Sequence, residues 1–259
     1  MRDTDDQLQL FPEAYAPGDE QTAEPGDLPG FSVRESARAR RLSIKVYPRG
    51  RVEVVVPKRT RPRDVEAFVS ENRRWIARAL ESFAGDIDPA TYQLPSVIEL
   101  AAIDRRFVVV YRYRAGQASV RYRELGDTLV LTGATDDEEL CRKALRRWLT
   151  AVARREFEPR LHGLSLALAL PFRRMQVRAQ RTCWGSHSSS GTISINLCLL
   201  FVPAEVVRYL FVHELCHGRH MNHSAAFWRL VRVHEPGYRR LDRELGESWR
   251  KVPGWVGIY

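Results

Sequence analysis

The sequence lacks several features that mark particular classes of protein. No apolar run among its 259 residues approaches the roughly 18–20 residues of a membrane span. The N-terminal segment is acidic and has no apolar core, so no secretory signal peptide is expected. Its four cysteines show no paired spacing, which argues against a disulfide framework. There is no internal repeat and no glycine-rich phosphate loop. These absences predict a cytoplasmic protein without membrane association.

Charge is distributed unevenly along the chain. The formal net charge is +9, yet residues 1–30 contain eight acidic residues and one basic residue. That segment is also rich in proline and glycine, a composition typical of disorder. The remainder carries a net charge of +16 and is suited to polyanions such as DNA or nucleoside polyphosphates. An arginine-rich surface that only contacts solvent is the alternative.

A short apolar island, Gln7-Leu8-Gln9-Leu10-Phe11, interrupts the acidic segment. It is similar to the pentapeptide by which many bacterial proteins dock on the replication sliding clamp. In such motifs the leucine and phenylalanine fill an apolar pocket, and a disordered segment that orders on binding is a suitable carrier. Gln7, Leu8, Leu10 and Phe11 are therefore candidate clamp-binding residues. An incidental apolar stub is the alternative.

The most informative stretch is His213-Glu214-Leu215-Cys216-His217, followed by His223. Two histidines four residues apart on a helix project from the same face, so both can bind one Zn²⁺ while Glu214 lies beside the metal. His223 supplies a third protein ligand and leaves the fourth position open for water, as in catalytic zinc sites. Glu214 then takes a proton from the zinc-bound water, which attacks a carbonyl or phosphoryl centre. The pattern predicts a hydrolase with one zinc ion.

The residues around this motif favour a metal site over a chance pattern on an exposed helix. Residues 206–212 are strongly apolar, which indicates a buried helix. The helix must end near Gly218–Asn222 for His223 to return to the metal, and Ser224 is a suitable N-cap for the next helix. Cys216 lies on the face away from the ligands, where a buried structural thiol is expected.

Periodicity along the rest of the chain predicts an α+β protein. In chain order the predicted elements are a hairpin at 40–47 and 51–57, a helix from Arg61 to about Phe83, strands between 96 and 132 with turns at Gly116 and Gly126, a helix from Asp136 to about His162, strands at 175–180 and 192–196 joined by a loop at 184–187, and the motif helix. The expected organisation is a disordered acidic segment at 1–30, an N-terminal hairpin-and-helix part at 31–84, a linker around Gly85–Pro95, a metal-binding catalytic part at 96–246 and a C-terminal tail at 247–259.

Several short motifs are distributed along this body. They are Arg40-Arg41-Leu42-Ser43-Ile44, Gly50-Arg51-Val52-Glu53-Val54 with Pro57, Arg74-Trp75-Ile76, Trp184-Gly185-Ser186, Ile195-Asn196 with Leu199, and the run from His213 to Phe227-Trp228. Together they resemble the YgjP-like metallopeptidase-domain family, relatives of the SprT-like and WLM zincin domains, over about residues 31–246. The resemblance implies a zincin-like domain with a mixed β-sheet, a supporting helix and an active-site helix, preceded by an N-terminal β-hairpin plus helix.

Three further residues are candidate accessory groups. The family usually has cysteine after Trp-Gly-Ser, whereas this chain has His187, which is either a polar group near the site or a surface histidine. Arg219 and His220 lie close to the ligands in sequence and are candidates to steady a developing oxyanion, with a solvent-facing position as the alternative. The histidine spacing is also that of metzincins, but these carry glycine in place of His220 and a later Met-turn. We interpret that shared spacing as convergence.

Three functions are compatible with these residues. The first is a zinc-dependent metallopeptidase in which Glu214 activates a zinc-bound water for attack on a peptide bond, with the basic body bringing the enzyme to DNA. The second is a nucleoside triphosphate pyrophosphatase acting on UTP, an activity described for some family members, because a metal with arginines also serves phosphoryl chemistry. The third is a noncatalytic, zinc-stabilised adaptor for DNA or the sliding clamp. Glu214 argues against the adaptor, since a structural site has no use for that carboxylate.

Overall fold

The computed structural model describes residues 30–37, 39, 41–46, 52–84, 92–180 and 183–257. They form an N-terminal unit up to residue 84 and a C-terminal unit from residue 92. The clamp-like pentapeptide at 7–11 and most of the expected linker lie outside the described residues. Within the described part of the chain, no helix is both long enough and apolar enough to cross a membrane.

The N-terminal unit is built on a three-stranded sheet. Its strands are β1 (Phe31–Glu35), β2 (Ser43–Val46) and β3 (Val52–Val56), in the order β1-β3-β2. The antiparallel β2–β3 pair confirms the predicted hairpin. Strand β1 was not predicted, because its side chains are mostly exposed and it is held by parallel pairing with β3, more than fifteen residues away in sequence.

Two helices follow this sheet, where a single helix was predicted. They are α1 (Pro62–Glu71) and α2 (Arg73–Ala84). The chain departs from the helix at Asn72, whose side-chain amide donates to the carbonyl of Phe68 at 2.8 Å. An asparagine that bonds to the preceding turn in this way competes with helix continuation. Val65, Val69 and Ile76 of these helices pack with the buried valines of β3.

The C-terminal unit begins with a four-stranded mixed sheet. Its strands are β4 (Val97–Leu100), β5 (Arg105–Tyr113), β6 (Val120–Leu125) and β7 (Thr128–Gly133), in the order β4-β5-β7-β6. The β5–β7 pair is parallel and the other two pairs are antiparallel. The turns predicted at Gly116 and Gly126 are present, and both glycines have positive φ, which they adopt without a Cβ clash.

One long helix, α3 (Glu138–Leu168), covers a face of this sheet. Asp137 caps its first turn by accepting a hydrogen bond from the Leu140 amide at 3.0 Å. Trp148 packs edge-on against Phe107 and donates its indole N–H to Glu124. The helix runs six residues beyond the predicted end at His162, because its buried side continues through Ser165.

A second mixed sheet lies between α3 and the motif helix in sequence. It contains β8 (Arg174–Arg178), β9 (Gly185–His187) and β10 (Thr192–Asn196), in the order β8-β10-β9. The segment 184–187, predicted as a loop, therefore contains the edge strand β9. Its residues have low strand propensity, and antiparallel pairing with β10 makes them a strand.

The remaining helices are α4 (Ala204–Cys216), α5 (Ala225–His234) and α6 (Tyr238–Glu247). Helix α4 is almost entirely buried, and its Phe211 packs edge-on against Phe157 of α3 at 5.6 Å between ring centroids. Residues 247–259 were expected to form a tail beyond the catalytic part, yet Trp255 and Val256 are buried in a short 3₁₀ turn. The described chain is thus an α+β protein with several mixed sheets.

Candidate metal centre

Helix α4 presents the first part of the site from inside the protein. His213 and Glu214 are each 1% exposed and His217 is 7% exposed. The helix ends at Cys216, two residues before the range predicted for its end, and His217 occupies the C-cap position. Cys216 is buried, and burial raises the pKa of its thiol to about 12, as suits a structural cysteine.

A turn after α4 returns the chain to His213. Ser224 caps the next helix, α5, by accepting a hydrogen bond from the Phe227 amide at 3.4 Å. His223 immediately precedes that cap, so the start of α5 fixes its backbone. This N-cap confirms the sequence prediction for Ser224.

The three imidazoles meet through their Nε2 atoms. Nε2 of His213 lies 3.2 Å from Nε2 of His217 and 3.0 Å from Nε2 of His223. One ligand atom from each residue can be chosen so that all three lie within 4.8 Å of one another. Among the histidine, cysteine, aspartate and glutamate side chains of the described residues, these three histidines are the group placed to hold a metal ion.

Hydrogen bonds to Nδ1 of His217 and His213 determine that Nε2 of each ring directs a lone pair towards the other histidines. Nδ1 of His217 lies 3.0 Å from the carbonyl oxygen of His220. A carbonyl only accepts, so Nδ1 carries the proton and Nε2 presents a lone pair. For His213, Nδ1 lies 3.5 Å from the hydroxyl oxygen of Tyr209, which itself donates to Asp242 at 2.7 Å. The Tyr209 oxygen therefore has lone pairs free for the His213 N–H.

This arrangement fits a divalent metal ion. The inward lone pairs of His213 and His217 repel one another unless a cation or a proton lies between them, and burial opposes protonation. Burial, together with His217 and His223, holds the pKa of His213 well below its usual value, and burial lowers the pKa of His217 to about 4. Tetrahedral coordination at about 2.0–2.1 Å separates ligand nitrogens by about 3.3 Å, close to the observed spacing. The three-nitrogen donor set leaves room for a fourth ligand.

Glu214 is a buried carboxylate with an unusual environment. Its Oε2 atom is buried and has no hydrogen-bond partner among the described residues. Burial raises the pKa of Glu214 to about 8. A Cβ atom added at Gly185 would lie 2.6 Å from Glu214 Oε1 and 3.0 Å from its carboxyl carbon. The backbone of β9 therefore packs directly against this carboxyl group, and only glycine leaves space for it.

His187 joins the edge strand to the motif helix. Its Nδ1–H donates to the backbone carbonyl of Glu214 at 2.5 Å, and the side chain is half-buried. Burial lowers the pKa of His187. Of the two interpretations of this histidine, the structure places it beside the site, where it ties β9 to the last turn of α4.

The other candidate accessory residues differ in their placement. Arg219 is exposed, and His220 contributes its backbone carbonyl to the orientation of His217. No role at the site was predicted for Gly185, Tyr209 or Asp242. Tyr209 lies one helical turn before His213, a spacing that could have identified it. Asp242 lies on α6, far away in sequence, and no local pattern points to it.

Aromatic side chains surround the three histidines. Phe227 stacks on His217 with ring centroids 4.4 Å apart, and Trp228 stacks on His223 at 5.6 Å. Apolar surroundings of this kind reduce solvent access and strengthen electrostatic interactions at a metal site. Both residues belong to α5, so this helix supplies the wall next to His223.

One comparison with known proteins identifies the family. The model of the YgjP-like, metallopeptidase domain family matches residues 40–248. No curated protein and no solved structure matches the chain. The matched region contains β9, the whole of α4 and the three clustered histidines. The chain therefore belongs to the YgjP-like metallopeptidase domain family.

Proposed function

We propose that this protein is a zinc-dependent peptidase in which Glu214 activates the attacking water. The observation that carries the proposal is the unpartnered Oε2 of buried Glu214, on the same helix as His213 and His217. Leaving a buried carboxylate oxygen without a partner costs free energy, and structural sites have no reason to keep one. A water that uses this oxygen as a base explains why it is kept.

His213, His217 and His223 are the residues that would hold the ion. Imidazole nitrogens suit Zn²⁺, and three protein ligands are typical of catalytic zinc sites, whereas structural sites use four. When bound, the metal supplies Lewis acidity and lowers the pKa of a water in its open position.

The remaining chemistry belongs to side chains of the protein. Oε2 of Glu214 accepts a proton from the attacking water, and the protonated carboxyl group then donates it to the leaving amine. A carboxyl group whose pKa lies near neutrality suits both steps, and burial raises the pKa of Glu214 to about 8 before any metal binds. Contact with Gly185 limits the positions open to the carboxylate while it does so.

The position of β9 favours a peptide as the substrate. This strand forms the edge of the sheet β8-β10-β9, and its residues Gly185 and His187 contact Glu214. An extended peptide can add to an edge strand through main-chain hydrogen bonds, which would carry a peptide bond past the carboxylate. A nucleotide has no extended main chain with which to continue the sheet.

The test compares zinc-loaded wild type with Glu214→Gln on an unfolded protein and on UTP. Glu205→Gln is the matched control, because Glu205 lies on the same helix but is exposed and paired with Arg240. We expect wild type and Glu205→Gln to cleave the protein, and Glu214→Gln to bind zinc but lose at least about a hundredfold in rate. Cleavage of UTP alone would establish the pyrophosphatase instead. A zinc-loaded wild type that cleaves neither substrate would favour the adaptor.

A further inference from the structure

The four-stranded sheet of the C-terminal unit has a second face that α3 does not cover. Side chains alternate between the two faces along each strand. Phe107 and Glu124 lie on the covered face, because both contact Trp148 of α3. Val108 and Leu125, on the opposite side, are 47% and 49% exposed. We call this the open face; its residues are Val97, Glu99, Arg106, Val108, Val110, Arg112, Arg121, Arg123, Leu125, Thr128, Val130 and Thr132, and all except the buried Val130 are at least partly exposed.

Strand register gathers three arginines at one end of this open face. Arg112 of β5 and Arg121 of β6 both pair with Thr132, one from each side. Arg123 lies two residues further along β6, opposite Val130. All three are exposed and form no ion pair within the described part of the chain. We refer to Arg112, Arg121 and Arg123 as the arginine cluster.

The arginine cluster has no acidic neighbour on its own face. The open face contains one carboxylate, Glu99, which is 3.6 Å from Arg106 at the opposite end. Arg121 and Arg123 are neighbours on one face of β6, and only β7 separates them from Arg112, so their positive charges repel one another. An external anion would relieve that repulsion.

We propose that the arginine cluster binds the phosphate backbone of a nucleic acid. Guanidinium groups form paired hydrogen bonds to phosphate oxygens, and the flat face presents three of them to an extended polymer. The net charge of +16 on residues beyond the first 30 adds long-range attraction for the same polyanion. No aromatic side chain lies on the open face among the described residues, so bases have no stacking partner there. Binding is therefore independent of base sequence.

This inference does not depend on the proposed peptidase activity, since none of the three arginines contacts the histidines or Glu214. It can fail while the metal site is active, and the reverse also holds. Binding at this face would bring the enzyme to proteins that are themselves associated with nucleic acid.

The test measures binding of the full-length protein to a labelled 20-nucleotide single strand and a 20-base-pair duplex by fluorescence anisotropy, at several salt concentrations. Three phosphate contacts contribute about −2.7 to the slope of log K against log salt for a duplex and about −2.1 for a single strand. A triple variant, Arg112→Gln, Arg121→Gln and Arg123→Gln, should lose about this much slope and at least about tenfold in affinity. A second triple variant, in which lysine replaces the same three arginines, should retain the salt dependence of wild type, since counterion release depends on charge.

The matched control removes the same charge elsewhere. Arg154, Arg232 and Arg250 are exposed on three other elements and form no ion pair in the described residues. The control variant, in which glutamine replaces these three arginines, should keep most of the affinity and most of the slope of log K against log salt. Equal losses in the two glutamine triples would overturn the proposal, because binding would then follow total charge. Displacement by polyglutamate as effective as by unlabelled oligonucleotide would overturn it in favour of an acidic protein partner.

Discussion

The hydroxyl oxygen of Tyr209 lies 3.5 Å from Nδ1 of His213, one helical turn further along α4. The same hydroxyl donates to Asp242 of α6 at 2.7 Å, so its lone pairs are left for the His213 N–H. Both Tyr209 and His213 are buried, and no water is needed to connect them. The pair of Tyr209 and Asp242 therefore fixes the ring orientation and tautomer of His213, with Nε2 towards the candidate metal position.

We expect Tyr209→Phe to weaken zinc binding about 10–100-fold, because an outer partner of a ligating histidine typically contributes that much. Asp242→Asn should have a smaller effect of the same sign. Tyr111→Phe is the matched control, since the Tyr111 hydroxyl also donates a hydrogen bond, to the carbonyl of Pro95, but lies on β5 and is not a partner of any of the three histidines. Competition against a fluorescent zinc chelator measures all three dissociation constants. Unchanged affinity in Tyr209→Phe would show that the hydroxyl does not orient His213.

Gly185→Ala should impair the carboxylate without removing the metal site. The new Cβ would lie 2.6 Å from Glu214 Oε1, so the carboxyl group must move. Overpacking of this kind typically costs about 1–3 kcal/mol, and we expect hydrolysis to fall much more than zinc content. Gly163→Ala is the control, because an added Cβ meets nothing within 4 Å on helix α3. That change should stabilise the protein by about 0.5–1 kcal/mol. Full activity in Gly185→Ala would contradict the packing account.

The raised pKa of Glu214 predicts a pH-dependent gain from Glu214→Gln in the metal-free protein. Burial moves this pKa from 4.5 in the unfolded chain to about 8 in the folded one. Between those values the folded state retains a proton that the unfolded state releases, so the free energy of unfolding falls as pH rises. A glutamine at this position does not ionise, so it causes no such fall in the free energy of unfolding. The increase in Tm over wild type, measured with a chelator present, should therefore be larger at pH 8 than at pH 5. A pH-independent difference would mean that Glu214 ionises freely in the fold.

Zinc should stabilise the protein through His223. At a free concentration of 100 times Kd, a ligand that binds only the folded state contributes about 2.7 kcal/mol. His223→Ala removes one of the three clustered nitrogens, so most of this zinc-dependent rise in Tm should disappear. His234→Ala, at the end of α5 and outside the cluster, should respond to zinc like wild type. An undiminished response in His223→Ala would place the metal elsewhere.

Local patterns were sufficient for much of the fold. The β2–β3 hairpin, the strands around Gly116 and Gly126, helix α3 and the Ser224 cap each depend on neighbouring residues, and the periodicity of the chain predicted them. The histidine pair on α4 belongs to the same class, because one helical turn separates its members. These elements were predictable because interactions within a few residues determine them.

The features that escaped prediction depend on distant partners. Strand β1 needs parallel pairing with β3, and β9 becomes a strand through β10, although its residues are Gly, Ser and His. Asp242 reaches Tyr209 only because α6 packs against α4. The helix breaks at Asn72 because the Asn72 side chain competes for a backbone carbonyl of the preceding turn. The spacing of apolar residues does not reveal such a competition. Long-range packing has no periodic signature in a single sequence.

The most direct test of the proposed chemistry measures zinc content and protein hydrolysis in the same preparations of wild type and Glu214→Gln. Because Glu214 is not one of the clustered nitrogen ligands, both proteins should contain one zinc ion per chain. Hydrolysis should occur in wild type and fall by at least about a hundredfold in the variant, as expected for removal of a general base. Equal hydrolysis by two equally loaded proteins would contradict the role given to Glu214.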